Sequence, residues 1–324
     1  MTLRFLTLLL GLTWGTTWGT TWATAAQAET LQVVTSLKPV HSLTSAIMGE
    51  VGSPTLLITG GASPHTFSLK PSHASALSRA DLVVWIGPEL ERFLKAPLQN
   101  LAADALSLSL AQAEGILSLP ARAGGVWGDQ HTLDLHSEHM GAKDTHDDHE
   151  EGTVDPHIWL DIANAIAMTR AIETALKETY PDHAAVFTEN ATALRSNLTM
   201  LDEEISAATA PVTNTPYFVF HDAYQYFENR YRLSPLGAVT ASPDIRPGAR
   251  RMSDLREAGD KQEHICVFAE PQFEPGLLQV LTERGGATLA YLDPLGSDIE
   301  AGPQQYTETL RAMTDNLVNC LNGV

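Results

Sequence analysis

Residues 182–208, DHAAVFTENATALRSNLTMLDEEISAA, decide how the rest of the chain is read. Val186, Leu194, Leu198, Leu201 and Ile205 recur at mixed three- and four-residue steps, which predicts one long amphipathic helix. Pro181 stops the helix before it and opens this one at its first turn. At about 1.5 Å per residue the stretch spans roughly 40 Å, long enough to join two lobes. On its N-terminal side, strand candidates at 31–36, 54–58 and 81–87 alternate with helical stretches at 38–49 and 72–80. A further helix at 160–180 carries Ile162, Ile166, Met168, Ile172 and Leu176 on one face. On its C-terminal side, strands at 217–220, 236–239, 266–269 and 287–292 alternate with helices at 223–231, 247–259, 276–284 and 304–321. Such alternation means parallel sheets covered on both faces. The expected fold is α/β: two parallel-sheet lobes, 29–180 and 210–324, joined by one rigid helix at 181–209. Open parallel sheets bind ligands beyond the carboxyl ends of their strands, so the cleft between the lobes is the expected site.

The composition fits this reading. With 324 residues, 44% hydrophobic and 18% charged, the chain can build real cores and is too weakly charged to be disordered. Its 39 acidic against 20 basic side chains give a formal charge of −19, which excludes nucleic acid as a partner, because phosphate binding needs clustered Lys and Arg. At the N-terminus, one positive charge at Arg4, an apolar run at 5–13 and Ala26-Gln27-Ala28 before Glu29 form a secretory signal peptide, residues 1–28. A membrane anchor is disfavoured because repeated Trp-Gly-Thr-Thr between Trp14 and Thr21 breaks the apolar run short of the roughly 20 residues a span needs. The two cysteines, Cys266 and Cys320, can form one bridge or stay free, and export into an oxidising space favours the bridge.

Histidine is the compositional outlier, with 12 residues. His65, His157 and His221 stand where the backbone turns: after Gly60-Gly61-Ala62-Ser63-Pro64, within Asp155-Pro156-His157, and at Phe220-His221-Asp222. Pro156 forces a non-helical approach to the second. Three neutral imidazoles from separate segments suit a borderline-soft divalent ion with tetrahedral preference. His41, His73, His183 and His264 read as surface or capping residues. Residues 120–155 lack apolar periodicity and read as a long exposed loop. Between Asp129 and Glu151 this loop holds His131, His136, His139, His146 and His149 with eight carboxylates and one Lys, Lys143, a composition suited to metal capture.

These segments resemble a known family. Gly61-Ala62-Ser63-Pro64-His65, Ser68-Leu69-Lys70-Pro71-Ser72, the run from Ala80 to Pro88, and Asp155-Pro156-His157-Ile158-Trp159-Leu160-Asp161 are similar to the metal-binding solute receptors of bacterial ABC importers, in their zinc-uptake (ZnuA-type) branch. Phe220-His221-Asp222-Ala223-Tyr224, the run from Val267 to Phe273 and Leu292-Asp293-Pro294-Leu295-Gly296 continue the resemblance in family order across nearly the whole mature chain. It implies zinc held in the cleft by His65 and His157 from the first lobe and His221 from the second. Manganese receptors of the wider family typically carry a carboxylate at the position of His221, so an imidazole there favours zinc. Asp293 matches a ligand of the manganese branch and is a candidate fourth ligand; a supporting role, or a distant position with water closing the shell, are the alternatives. Pro64 departs from some zinc members, which carry an acidic residue there. The resemblance also implies the His-rich loop and a Cys266–Cys320 disulfide.

The function expected is therefore that of a non-enzymatic, monomeric periplasmic receptor. It would deliver zinc to a membrane ABC permease, with periplasmic zinc chaperones as further candidate partners. A manganese-binding or adhesin-like member of the same fold is one alternative. An exported zinc hydrolase is another, disfavoured because no His-Glu-x-x-His motif occurs.

Overall fold

A computed structural model of the chain describes residues 31–122, 127, 154–243, 246–262, 264–273, 276–282 and 287–323. The expected signal peptide lies outside them. The first lobe runs β1 (Val33–Thr35), α1 (Lys38–Met48), β2 (Thr55–Leu56), α2 (Pro71–Leu77), β3 (Leu82–Trp85), α3 (Lys95–Asn100) and β4 (Leu106–Ser109). Its strands form a four-stranded parallel sheet in the order β2-β1-β3-β4. Two helices follow, α4 (Ile162–Thr179) and α5 (Ala184–Thr209). The second lobe then repeats the alternation with β5 (Pro216–His221), α6 (Gln225–Tyr231), β6 (Ser234–Thr240), α7 (Ala249–Gly259), β7 (Ile265–Ala269), α8 (Gly276–Thr282), β8 (Ala287–Tyr291) and α9 (Gln305–Asn322). Its sheet, β6-β5-β7-β8, is also parallel throughout. The two-lobe α/β architecture expected from the sequence is the one observed. Between Gly87 and Pro120, α3 and β4 are additions. The first is a six-residue helix with Pro97 inside it, too short to carry a period, and the second alternates Leu with Ser, a strand period confined to four residues.

Helix α5 is continuous for 26 residues. Residues Pro181–His183 form a separate 3-10 turn, so the α-helix begins at Ala184. Its inward face is Phe187, Ala191, Leu194, Leu198, Leu201 and Ile205, all buried, whereas Val186 is exposed. Phe187 replaces Val186 on the apolar stripe because the larger ring lies one residue, about 100°, further round the helix and completes the three- and four-residue spacing to Ala191 and Leu194. The helix does not cross an open gap. It packs on α1 and α4 on one side and on α6 and α9 on the other, and one apolar cluster runs from Val40, Leu43 and Ile47 through Leu198 and Leu201 to Leu310 and Leu317. Helix α1 is buried almost all round, and Ser42 in its middle accepts the Tyr306 N–H at 2.9 Å across the lobe boundary. The two lobes therefore share a core instead of swinging on a single rod.

Helix α4 begins at Asp161, whose side chain accepts the Ala163 N–H at 2.7 Å and caps the first turn. The loop expected at 120–155 is described only at its base, where Pro120 and Val154 pair as an antiparallel bridge. Cys266 in β7 and Cys320 in α9 form a disulfide that ties the last helix to the sheet it covers. The 54-residue separation makes this closure worth roughly 4 kcal/mol by restriction of the unfolded chain. Reduction is therefore expected to lower the Tm by several degrees in thermal unfolding with and without a thiol. An unchanged Tm would mean that the apolar face of α9 holds the helix unaided.

Candidate metal centre

His221 is the last residue of β5, and β5 is where the second sheet reverses its strand order, with β6 on one side and β7 on the other. A reversal of this kind opens a crevice at the carboxyl ends of the two central strands. Glu270 directly follows β7 on the other wall of that crevice. Its Oε1 accepts the His221 backbone N–H at 3.4 Å and pairs with His221 Nδ1. From the first lobe, Asp155-Pro156-His157 enters as a turn, and a 3-10 turn over Ile158–Leu160 follows. Asp155 Oδ1 accepts the His157 backbone N–H at 3.0 Å and lies 2.7 Å from His157 Nδ1. His65 arrives on the loop between β2 and α2, after Gly60, whose φ of 66° suits glycine, and its N–H donates to Ser63 Oγ at 3.3 Å.

A carboxylate only accepts, so Asp155 and Glu270 each fix a proton on the Nδ1 they face and leave the Nε2 lone pair pointing away from them. These lone pairs converge. His157 Nε2 stands 3.3 Å from His65 Nε2 and 3.4 Å from His221 Nε2, and the ligand atoms of all three lie within 4.8 Å of one another. Lone pairs so close repel unless a proton or a cation sits between them, and a divalent ion can satisfy all three nitrogens at once. For Zn–N bonds of about 2.0–2.1 Å, tetrahedral geometry places neighbouring nitrogens about 3.3 Å apart, which is the spacing found for the two pairs that His157 makes.

His157 and His221 are 4% and 3% exposed, so the site's electrostatics act at full strength. Burial, reinforced by neighbouring His221, holds the His157 pKa well below the usual imidazole value. For His221 burial acts the same way, but the Glu270 carboxylate outweighs it and the pKa is raised. Burial lifts Asp155 to about 7. Arg122, at the base of the long loop, reaches Asp222, next to His221, and Glu228 at 2.7 Å, and its guanidinium stacks 3.5 Å from the Trp127 ring. Tyr226 Oη donates to the Asp155 carbonyl at 2.8 Å and accepts the Leu119 N–H at 3.0 Å. Both ends of the loop are thus tied to α6, directly behind two of the three imidazoles.

Pro64, Trp159, Phe273, Pro294 and Leu295 help wall a cavity of about 20 Å³, measured as the space open to the centre of a water. That admits an ion and about one water. Asp293 is not among the converging groups. Its carboxylate accepts the Leu295 N–H at 3.1 Å, the Ser297 N–H at 2.5 Å and Gln272 Nε2 at 2.7 Å, which shapes the loop behind the cavity. His131, His136, His139, His146 and His149 lie outside the described residues. Asp155, Glu270 and Arg122 have no role assigned on sequence grounds. Asp155 does carry a legible local signal, an Asp two residues before a His across a proline. The Glu270 and Arg122 partners are set only by tertiary packing.

The family model of the periplasmic zinc-uptake complex component A, ZnuA, matches residues 33–320. The high-affinity zinc uptake system protein ZnuA of Brucella suis is 37% identical over 305 residues, covering 90% of this chain and 91% of that protein. The protein of the same name from Yersinia pestis is 36% identical over 294 residues, covering 89% and 91%. Among solved structures, a crystal structure of ZnuA superposes with a TM-score of 0.73 at 23% identity, covering 90% of this chain and 100% of that one. The periplasmic zinc-binding protein TroA of Treponema pallidum gives 0.71 at 20%, covering 89% and 98%. With its fold shared by these structures and its sequence matched from the first strand to the last helix, the chain belongs to the ZnuA family of zinc-uptake components.

Proposed function

We propose that this protein is a periplasmic high-affinity zinc receptor that captures the ion in the cleft with His65, His157 and His221 and hands it to a membrane ABC permease. The observation that carries the reading is the spacing of the three Nε2 atoms, two of them oriented by carboxylates on Nδ1. The family description, a periplasmic component of a zinc-uptake complex, supports the compartment and a transport partner, and the membrane permease is this reading's own identification of that partner. Export with cleavage before Glu29, action as a monomer and loading by periplasmic zinc chaperones belong to the same reading. Catalysis does not. The two carboxylates nearest the site are engaged with ligand imidazoles, so neither is free to take a proton from water. Water or one further donor closes the tetrahedron, with Asp293 acting through the loop it holds.

His65→Ala, His157→Ala and His221→Ala should each weaken zinc binding beyond the ~10–100-fold that loss of an outer partner typically costs. Asp155→Asn and Glu270→Gln should fall within that range. Competition calorimetry against a chelator reads both sets. If any two of the three Ala variants keep wild-type affinity, the ligand set is wrong.

Zinc binds only neutral imidazole, so a proton on any ligand competes with it. Because the His221 pKa lies above its ordinary value, competition begins at a higher pH than for free imidazole, and affinity falls as pH drops through that value. A steep loss between about pH 7 and pH 5 is expected in chelator titrations. A flat profile would point to carboxylate ligands.

The loop at 129–151 is proposed as an auxiliary capture segment using His131, His136, His139, His146 and His149. Its ligands are spread along a stretch without apolar periodicity, and binding that had to order such a stretch would cost entropy, so its sites are expected to be weaker than the cleft. Deleting it should remove the weak zinc equivalents, leave one tight equivalent, and slow loading from scarce zinc. Mass spectrometry and stopped-flow loading check this. Full stoichiometry with wild-type loading would return the segment to a solvated linker.

A further inference from the structure

The cavity wall contributed by Pro294 and Leu295 belongs to the second lobe but is held from the first. The segment 292–299 leaves β8 and turns sharply at Gly296, where φ is 62° and an added Cβ would meet Thr309 Oγ1 at 2.0 Å. Six of its carbonyls accept hydrogen bonds from side chains of neighbouring elements. Tyr224 Oη donates to Leu292 at 3.2 Å, Trp159 Nε1 to Pro294 at 2.8 Å and Gln305 Nε2 to Leu295 at 2.7 Å. Three more are taken by a single group. Lys38 Nζ donates to Gly296 at 3.1 Å, to Ser297 at 2.6 Å and to Ile299 at 2.7 Å. An ammonium has three N–H donors, so this one is fully spent on the other lobe's backbone.

The placement of Lys38 runs against local preference. It is the first residue of α1, where the helix dipole disfavours a cation, and it is 8% exposed. Burial lowers its pKa, with Asp293 and Asp298 acting the other way. Neither helix stability nor solubility accounts for a buried lysine there, whereas the three carbonyls do. Trp159, the other first-lobe donor to this segment, packs its ring 5.3 Å from His157.

We propose that Lys38 is a positioning residue that latches the two lobes across the metal cleft, holding the Pro294–Leu295 wall over the three imidazoles and thereby setting how slowly zinc leaves. This rests on the zinc-receptor reading above. Lys38 touches no ligand atom of the site, so its loss frees the wall without removing a donor from the ion. The effect falls on escape, because association into a looser cleft is no slower.

The test is the mature full-length protein carrying Lys38→Met, with Lys38→Arg as a second variant that keeps the charge but replaces three donors on one nitrogen with a planar fork. Zinc dissociation is followed by stopped flow into excess chelator, association with a fluorescent zinc indicator, and hydrogen exchange at 292–299 by mass spectrometry. Expected for Lys38→Met are dissociation faster by about tenfold or more, association within about threefold of wild type, and faster exchange at 292–299 in the zinc-loaded state. Lys38→Arg should fall between. If Lys38→Met does not fold, faster dissociation from folded Lys38→Arg supports the latch in its place. Wild-type dissociation in a folded variant, even with a lowered Tm, overturns the latch. His157→Ala in the same assays separates the two readings: if it binds as tightly as wild type, the cleft is not the zinc site, and the latch falls with it for a different reason.

Discussion

Everything at the site depends on the direction of three imidazole lone pairs. A histidine ring can present either nitrogen, and a fold that left the choice open would present a mixture. Here two carboxylates remove the choice, Asp155 for His157 and Glu270 for His221. The inward-facing Nε2 atoms are then left close enough to repel, and the fold holds them there because the repulsion is returned as attraction when a divalent cation enters. Each carboxylate also accepts the backbone N–H of the histidine it orients, which fixes ring and main chain as one unit.

Holding such an arrangement needs supports that do not yield. His221 is rigid because it ends a central strand of a parallel sheet, and Glu270 because it follows the neighbouring strand. His157 and His65 come from loops, so their precision is borrowed. The first is clamped through Asp155, Tyr226 and the Arg122 cluster to α6 of the second lobe, and the second is set by a tight turn around Ser63. Helices α1, α5 and α9 pack into a core common to both lobes, so the distance between His157 and His221 is a property of that core and not of an open hinge.

The sequence shows this fold well and the site unevenly. Residues 182–208 announce a helix because its apolar face is long and regular, and the β/α alternation around it follows from runs such as Leu82 to Trp85, buried on every side. Where an element is very short, as in the six residues of α3 with Pro97 among them, local pattern has little to offer, and the LSLS of β4 is a strand period only four residues long. His65 and His157 are visible because each sits at a backbone turn with Gly or Pro nearby, and His221 because it closes an apolar strand run. Their partners are less so. Asp155 lies two residues from His157, but Glu270 is 49 residues from His221, Arg122 is 100 from Asp222 and Lys38 is 258 from Gly296. Nothing in a one-dimensional pattern links such pairs. They are consequences of which strand ends and helix ends the topology brings together, and Asp293 is the counterpart case, a carboxylate in a suggestive motif whose oxygens are committed to its own loop.

The charge balance around the cleft completes the physical picture. Asp155, Asp222, Glu228 and Glu270 are all buried, and Arg122 is the cation that meets two of them. Burial raises the pKa of Asp155 and of Glu228 to about 7 and raises that of Asp222. Those are the values of acids short of positive charge, and a dication among the imidazoles supplies it. Without the ion, protons are the other source for Asp155 and Glu228, whose pKa values of about 7 let neutral solution provide them. Ion and protons therefore compete for the same deficit of charge.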